Sequence, residues 1–340
     1  MKSPITGKEM TLQIEKSILV FRKEKFEYNH KSYLCEDSGE SFTTTELDEF
    51  NLNQVYNQYR DKHNIPFPDE IIKLRNTYGL SAVMMSRILG FGINSYRNYE
   101  KGEVPSLANA NLINTISNSI SNFKLLVDLN NDLNDEVKLK ILKKIEVVIE
   151  NYRENKDDKK YVDILFEDKL PDNYSGYRKP NMEKMSNMIL FFAEKLNPTE
   201  TMMNKLLFYS DFYNYKKTAY SISGANYMAH NYGPVPVRFG GIFDYVSNKN
   251  FIFMKLEDYG NGYWGKCFYK STHKDFNSEL FSSEEIESLN IIANTFKGCN
   301  ATQIMEKSHE EKAWIDNEKN KGLIDYNYSF DLLHVWFFIS

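Results

Sequence analysis

The 340-residue chain has three cysteines, Cys35, Cys267 and Cys299, an odd number set far apart, which excludes a disulfide framework and a complete thiolate metal site. No apolar run approaches the length that crosses a bilayer, and the opening MKSPITGKEM lacks the hydrophobic stretch of a signal peptide. A cytoplasmic protein with no membrane partner is therefore expected. No phosphate-binding glycine loop is visible, because Gly240-Gly241 is too short and neither Lys-Ser nor Lys-Thr follows it. The histidines, His30, His63, His230, His273, His309 and His334, do not cluster, and the segment from His309 to Trp314 lacks the second histidine of a zinc-hydrolase motif. Asp211 and His230 have no identifiable serine or cysteine nucleophile to complete a catalytic set. A protein that is not an enzyme and takes no cofactor or metal is expected. The net charge of -5 argues against non-specific coating of nucleic acid and leaves room for a local DNA-reading element.

What the chain does have is aromatic residues, at 14%, and enough length for two or three domains with their own cores. The pattern predicts an α+β, mainly helical fold: a small N-terminal sheet, a helix-turn-helix bundle, and a helical C-terminal domain with a small β-sheet. Alternating Leu12, Ile14 and Phe26, Tyr28 read as sheet, and a helix is predicted from near Thr45 through Leu52, Val55, Tyr56 and Tyr59. Ile65-Pro66-Phe67-Pro68 breaks the chain and sets a boundary between regions 1–64 and 65–118. Two helices follow, 120–133 and 134–152, in a helical linker region 119–179. The second carries Ile141, Ile145, Val148 and Tyr152 on one stripe, facing either its own chain or a second copy. The charged run 155–160 reads as a solvated linker. The last region, 180–340, opens with Met182, Met185, Ile189, Phe192 and Leu196 on one helical face, adds a hairpin around Gly260-Asn261-Gly262, and ends with helices from near Ser283 and Thr302.

The densest stretch is 204–239, NKLLFYSDFYNYKKTAYSISGANYMAHNYGPVPVRF. Its helix, 202–217, carries Met203, Leu206, Leu207, Phe208, Tyr209, Phe212 and Tyr213 nearly all round the cylinder, so it is buried on several sides. Tyr227, Ala229 and Asn231 suit a short strand, and Tyr232-Gly233-Pro234-Val235-Pro236 fixes a stiff path. The tyrosines either wall a small core or form a recognition surface of large area and low entropic cost. The order KLLFYSDF, SISG, YMAHNYGPVP, followed by Ser308-His309-Glu310-Glu311, Ala313-Trp314 and Leu323-Ile324-Asp325-Tyr326, resembles the Panacea, or SocA-like, domain family of type II antitoxins and phage-encoded proteins. The resemblance covers about 180 to the C-terminus. It implies neutralisation of a cognate toxin by direct binding, with Tyr209, Asp211, Tyr227, His230, Tyr232 and Arg238 as contact candidates and Pro234 and Pro236 shaping the loop. His309 and Trp314 are expected to support that surface from behind.

Between Asp69 and Ser106 the run IIKLRNTYGLSAVMMSRILGFGINSYRNYEKGEVPS reads as packed short helices, with Ser81 as a cap, a turn at Gly90-Phe91-Gly92, and a second helix over 93–100. It is similar to an Xre-type helix-turn-helix of phage repressors. Asn94, Ser95, Arg97 and Asn98 are the base-edge candidates, and Arg87 and Lys101 the phosphate candidates. Lys73, Arg75, Arg87, Arg97 and Lys101 are nearly cancelled by Asp69, Glu70, Glu100 and Glu103, so the helices either read operator DNA as a homodimer or serve only as scaffold. Ser3-Pro4-Ile5-Thr6-Gly7 and Cys35-Glu36-Asp37-Ser38-Gly39-Glu40 resemble the two knuckles of the MqsA-type N-terminal zinc finger, with only Cys35 left as a ligand. Hydroxyls cannot replace three thiolates around zinc. The combined expectation is an antitoxin that represses its own operon. The alternatives are a proteolytic adaptor that delivers the toxin to a protease, and a plain transcription regulator with a sensing C-terminal domain.

Overall fold

The structure is a computed structural model that describes residues 1–167, 169–258 and 264–335. It is mainly helical with three small antiparallel sheets, an α+β architecture, and it divides into two compact units, Met1–Lys159 and Lys160–Ser340.

The first unit opens with β1 (Thr11–Phe21) and β2 (Glu24–Leu34), paired antiparallel from Thr11↔Leu34 to Phe21↔Glu24. Arg22 and Lys23 make the two-residue turn at φ 48° and 71°, the left-handed geometry that matches the twist of a tight hairpin. β3 (Ser41–Phe42) extends the far side of β2. Helix α1 (Thr45–His63) starts at a Thr44 cap whose hydroxyl accepts from the Leu47 N–H. Its carboxamides then act as a surrogate strand. Asn51 accepts from Lys31 N–H at 2.9 Å and donates to Lys31 C=O at 3.0 Å; Gln54 does the same to Asn29 at 3.0 and 2.9 Å; Gln58 donates to Glu27 C=O at 2.8 Å. Three or four helical residues rise roughly 4.5–6 Å, close to the roughly 6.6 Å between alternate strand residues, so the two ladders stay in step.

Six more helices complete this unit: α2 (Pro68–Thr77), α3 (Ala82–Ile88), α4 (Ser95–Glu100), α5 (Leu107–Ser117), α6 (Ile120–Leu129) and α7 (Asp135–Glu154). Ile71, Leu74, Met85, Tyr96 and Ile113 share one core with Phe123, Val127, Ile141 and Ile145. Helices α6 and α7 therefore close the bundle formed with α2 to α5, and the stripe Ile141, Ile145, Val148 packs inside its own chain while Tyr152 stays exposed. A second core joins the sheet to the bundle through Phe26, Val55, Tyr59, Ile65, Val104 and Ala110. Arg22 adds bonds to the carbonyls of Val104 and Pro105 at 2.6 and 2.8 Å, and Arg60 to Gly102 C=O at 2.6 Å.

The charged run 155–160, read as a solvated linker, spans the division between the two units and is largely exposed. Most of it folds as the start of α8 (Lys156–Phe166), because a run of Lys and Asp has no helix breaker and tolerates a solvated helix. Beyond it come α9 (Met182–Leu196), α10 (Glu200–Thr218), β4 (Tyr227–His230), β5 (Gly233–Pro236), α11 (Phe239–Asn248), β6 (Ile252–Asp258) and β7 (Trp264–Lys270). α12 (Ser283–Thr295), α13 (Ala301–Glu310) and α14 (Lys312–Ile315) end the series. β6 and β7 pair antiparallel; the Gly260-Asn261-Gly262 turn lies outside the described residues. Ser282 with Glu285, and Asn300 with Gln303, form capping boxes at the starts of α12 and α13. Met182, Met185, Ile189 and Phe192 are buried, and α10 runs through the middle of the unit with no exposed residue. Among the described residues no helix is long and apolar enough to cross a membrane.

Candidate functional site

The centre of the second unit is a buried carboxylate. Asp211 is 0% exposed and accepts from the backbone N–H of Ile222 and Ser223 at 2.7 and 2.8 Å, from the Tyr227 hydroxyl at 2.7 Å, and from the Ser223 hydroxyl. Burial pushes its pKa up, while the Ser223 hydroxyl and N–H, Tyr227 and Ile222 favour the ionised form. One side chain thus ties α10 to the 221–224 turn and to β4. Gly224 completes that turn at φ 74°, where a Cβ would lie 2.7 Å from the Lys179 carbonyl carbon and oxygen.

A second tie comes from Lys205, earlier on the same helix. Its ammonium is 1% exposed and donates to Pro234 C=O at 2.9 Å; burial pulls its pKa from 10.5 down to about 7. Gly233 sits against it at φ 94°, with no room for a side chain: a Cβ would lie 2.2 Å from Ser308 Oγ and 2.7 Å from Lys205 Cε. From the other side Trp314 Nε1 donates to His230 C=O at 2.8 Å, and the His309 ring stacks on Trp314 at 3.9 Å. Burial, with the neighbouring Lys205 charge, lowers the His309 pKa. Tyr209 donates to the buried Glu311 at 3.1 Å, and Glu311 also accepts from the N–H groups of Leu333 and His334.

This scaffold sorts the sequence-derived contact candidates into two groups. Tyr209, Asp211 and Tyr227, read from the sequence as contact candidates, are 0% exposed with their hydroxyls and carboxylate hydrogen-bonded inside the unit, and Pro234 and Pro236, read as shaping the loop, are buried. Tyr232, 62% exposed, and Arg238 project from the β4–β5 turn and the residue before α11, and His230 is half-buried beside them. Ring contacts of His230 to Tyr232 and Phe239, at 6.4 and 6.2 Å, bring these three rings together, with the exposed Asn231 between the first two in sequence and Arg238 next to the third. Arg238 also pairs with Glu167 at 3.3 Å. Sequence reading missed Lys205 and Asn231. A lysine among the apolar residues that go nearly all round the helix was the available signal for the first; nothing in the pattern marked the second.

In the first unit Ser81 caps α3, accepting from Met84 N–H at 3.1 Å. Helix α4 begins at Ser95, two residues later than the sequence suggests, because Gly92 C=O closes a turn on Ser95 N–H at 2.9 Å and leaves Asn94 as the cap. Ser86 Oγ accepts from Tyr96 N–H at 3.1 Å and Tyr96 OH donates to Ile71 C=O at 2.9 Å, fixing α4 against α3 and α2. Asn94, Arg97, Asn98 and Lys101 are exposed, Ser95 is half-buried, and Arg87 is exposed at the end of α3. Glu100 is held by Arg75, so it does not oppose Arg97 or Lys101, which have no ion pair among the described residues; nor does Arg87.

The two N-terminal knuckles do meet. Thr6 Oγ1 lies 3.5 Å from Cys35 Sγ, Ser3 Oγ accepts from the N–H groups of Ile5 and Thr6, and Ser38 Oγ accepts from Glu40 N–H. Hydrogen bonds from Ser3, Ser38 and Thr6 lower the Cys35 thiol to about 6. One thiolate and three hydroxyls do not suit zinc, and among the described residues no cluster of three His, Cys, Asp or Glu could hold a metal ion. Purified protein is expected to carry less than about half an equivalent of zinc by elemental analysis. Stoichiometric zinc would contradict this reading.

No curated protein matches the chain. Residues 203–315, which run from within α10 to the end of α14 and so contain the Asp211 and Lys205 ties and the Tyr232 turn, match the family described as antitoxin SocA-like, Panacea domain.

Proposed function

We propose that this chain is a cytoplasmic antitoxin that neutralises a cognate toxin protein by direct binding, not by catalysis, through the patch formed by His230, Asn231, Tyr232 and Arg238. The family match of 203–315 carries the antitoxin role. The patch is favoured because it combines an exposed aromatic ring and a guanidinium on a turn held rigid from beneath, the composition of an interface anchor. Tyr209, Asp211, Tyr227, Pro234 and Pro236 set its shape. The test is co-expression of the toxin with residues 160–340 or with 1–159. Growth rescue by 160–340 alone is expected, and rescue by soluble 1–159 alone would reverse the assignment. Rescue that persists in a protease-deficient host separates sequestration from delivery to a protease.

A second activity, repression of the protein's own operon, is favoured by the exposed Arg87, Asn94, Arg97, Asn98 and Lys101 on a helix-turn-helix whose nearest acid is already paired. Arg97→Glu is expected to weaken operator binding by about tenfold to a hundredfold at low salt in a mobility-shift titration, since it removes a base-edge donor and adds a repelling charge. An unchanged affinity would leave the bundle as scaffold.

A further inference from the structure

The N-terminal sheet is protected on one edge only. In an antiparallel strand the N–H and C=O of alternate residues point to opposite sides. On β2, Glu27, Asn29 and Lys31 direct theirs to the α1 carboxamides, and Tyr33 lies opposite β3. Their β1 partners are Ile18, Lys16, Ile14 and Leu12, which with Val20 must therefore turn their N–H and C=O groups outward from the hairpin. Among the described residues no hydrogen bond meets these groups. The same residues carry the exposed side chains: Ile14, Ile18 and Val20 are 38%, 59% and 61% exposed, with Lys16 exposed between them. A long strand with bare polar groups on its edge and aliphatic side chains beside them is what proteins ordinarily blunt or cover.

We infer that β1 pairs antiparallel with β1 of a second copy, about a two-fold axis through Ser17. That axis places Ile14 opposite Val20 of the partner copy and Lys16 opposite Ile18, so aliphatic side chains meet on the solvent face and Lys16 lays its stem along an isoleucine. An axis one residue earlier sets Lys16 against Lys16 and is disfavoured by like charge. The sequence is thus self-complementary in one of the registers that its outward-facing backbone groups allow, as a two-fold interface requires. The partner's strand continues the sheet beyond β1. Because the β1–β2 turn is bonded to Val104 and Pro105 just after α4, the same pairing fixes the two recognition helices of a dimer in a set relation.

The experiment is light scattering on the full-length chain over a concentration series, independent of DNA and toxin. The wild-type chain is expected to be a dimer. Lys16→Pro deletes an outward N–H twice per dimer and leaves the β1–β2 ladder intact, and Ile18→Lys places a lysine opposite Lys16. Each is expected to raise the dimer Kd by about thirtyfold or more with an unchanged circular dichroism spectrum. A wild-type chain that stays monomeric, or a natively folded Ile18→Lys chain that dimerises as tightly as wild type, overturns the proposal. Loss of operator binding with the dimer intact would count against the DNA-reading role alone.

Discussion

Asp211→Ala is expected to destabilise the second unit by about 4 kcal/mol or more, the range seen when a buried, hydrogen-bonded charge is removed and its partners stay behind. The substitution would leave the N–H groups of Ile222 and Ser223 and the hydroxyls of Ser223 and Tyr227 buried without an acceptor. It also removes the acceptor that fixes Tyr227, on whose ring Phe208 and Phe212 pack at 5.8 and 5.7 Å. Trp264, Trp314 and Trp336 all fall in the second unit, so tryptophan fluorescence during urea unfolding reports that unit. A midpoint within error of wild type would mean that the turn at 221–224 and the β4 strand do not depend on this carboxylate.

Lys205→Met is expected to act in the opposite direction and to depend on pH. The folded-state pKa of Lys205, about 7, lies below the unfolded value near 10.5, so between those values the unfolded chain holds the proton that the folded chain has released. Stability from this group therefore rises as pH increases from about 7 to 10.5, and below 7 the fold carries a buried ammonium bonded to one carbonyl. Methionine removes that penalty and forfeits the bond to Pro234, giving a gain on the order of 3 kcal/mol at pH 6 that fades towards zero near pH 10. The check is denaturant unfolding of both proteins at pH 6 and pH 9.5. A variant less stable than wild type at pH 6, or a gain that grows with pH, would refute the linkage. The bond from Lys205 sets the height of Pro234 beneath the exposed turn.

These residues also mark where the sequence was legible and where it was not. The all-round apolar pattern of α10 predicted a buried helix, and the alternation at Tyr227, Ala229 and Asn231 predicted β4, which ends at His230 and leaves Asn231 in the turn. The same pattern could not say which tyrosine faces water, because a helix without a polar face has no orientation to read. Asp211 stood among the contact candidates because the resembling segment combines aromatic area with directional polar groups. Three of its four donors arrive from the 221–224 turn and the fourth from Tyr227 on β4, all more than ten residues away, a long-range fact that no local window contains. In the first unit, Ser81 was readable as a cap, since capping is local chemistry. The role of α6 and α7 was not, because an amphipathic stripe says that something covers it without saying what. The α1 carboxamides likewise looked like ordinary polar residues; only their register against β2 reveals them as the cover of a sheet edge.

The measurement that bears most directly on the central claim is neutralisation by the full-length Tyr232→Ala, Arg238→Glu chain. Both side chains are exposed, and of the two only Arg238 holds an ion pair, a partly exposed one to Glu167, so unfolding midpoints are expected to stay within about 0.5 kcal/mol of wild type. Binding to the toxin is expected to weaken by about thirtyfold or more, the loss typical of an aromatic and arginine anchor, with growth no longer rescued on co-expression. Full rescue and unchanged affinity from this folded variant would contradict the placement of the toxin-facing surface at the β4–β5 turn.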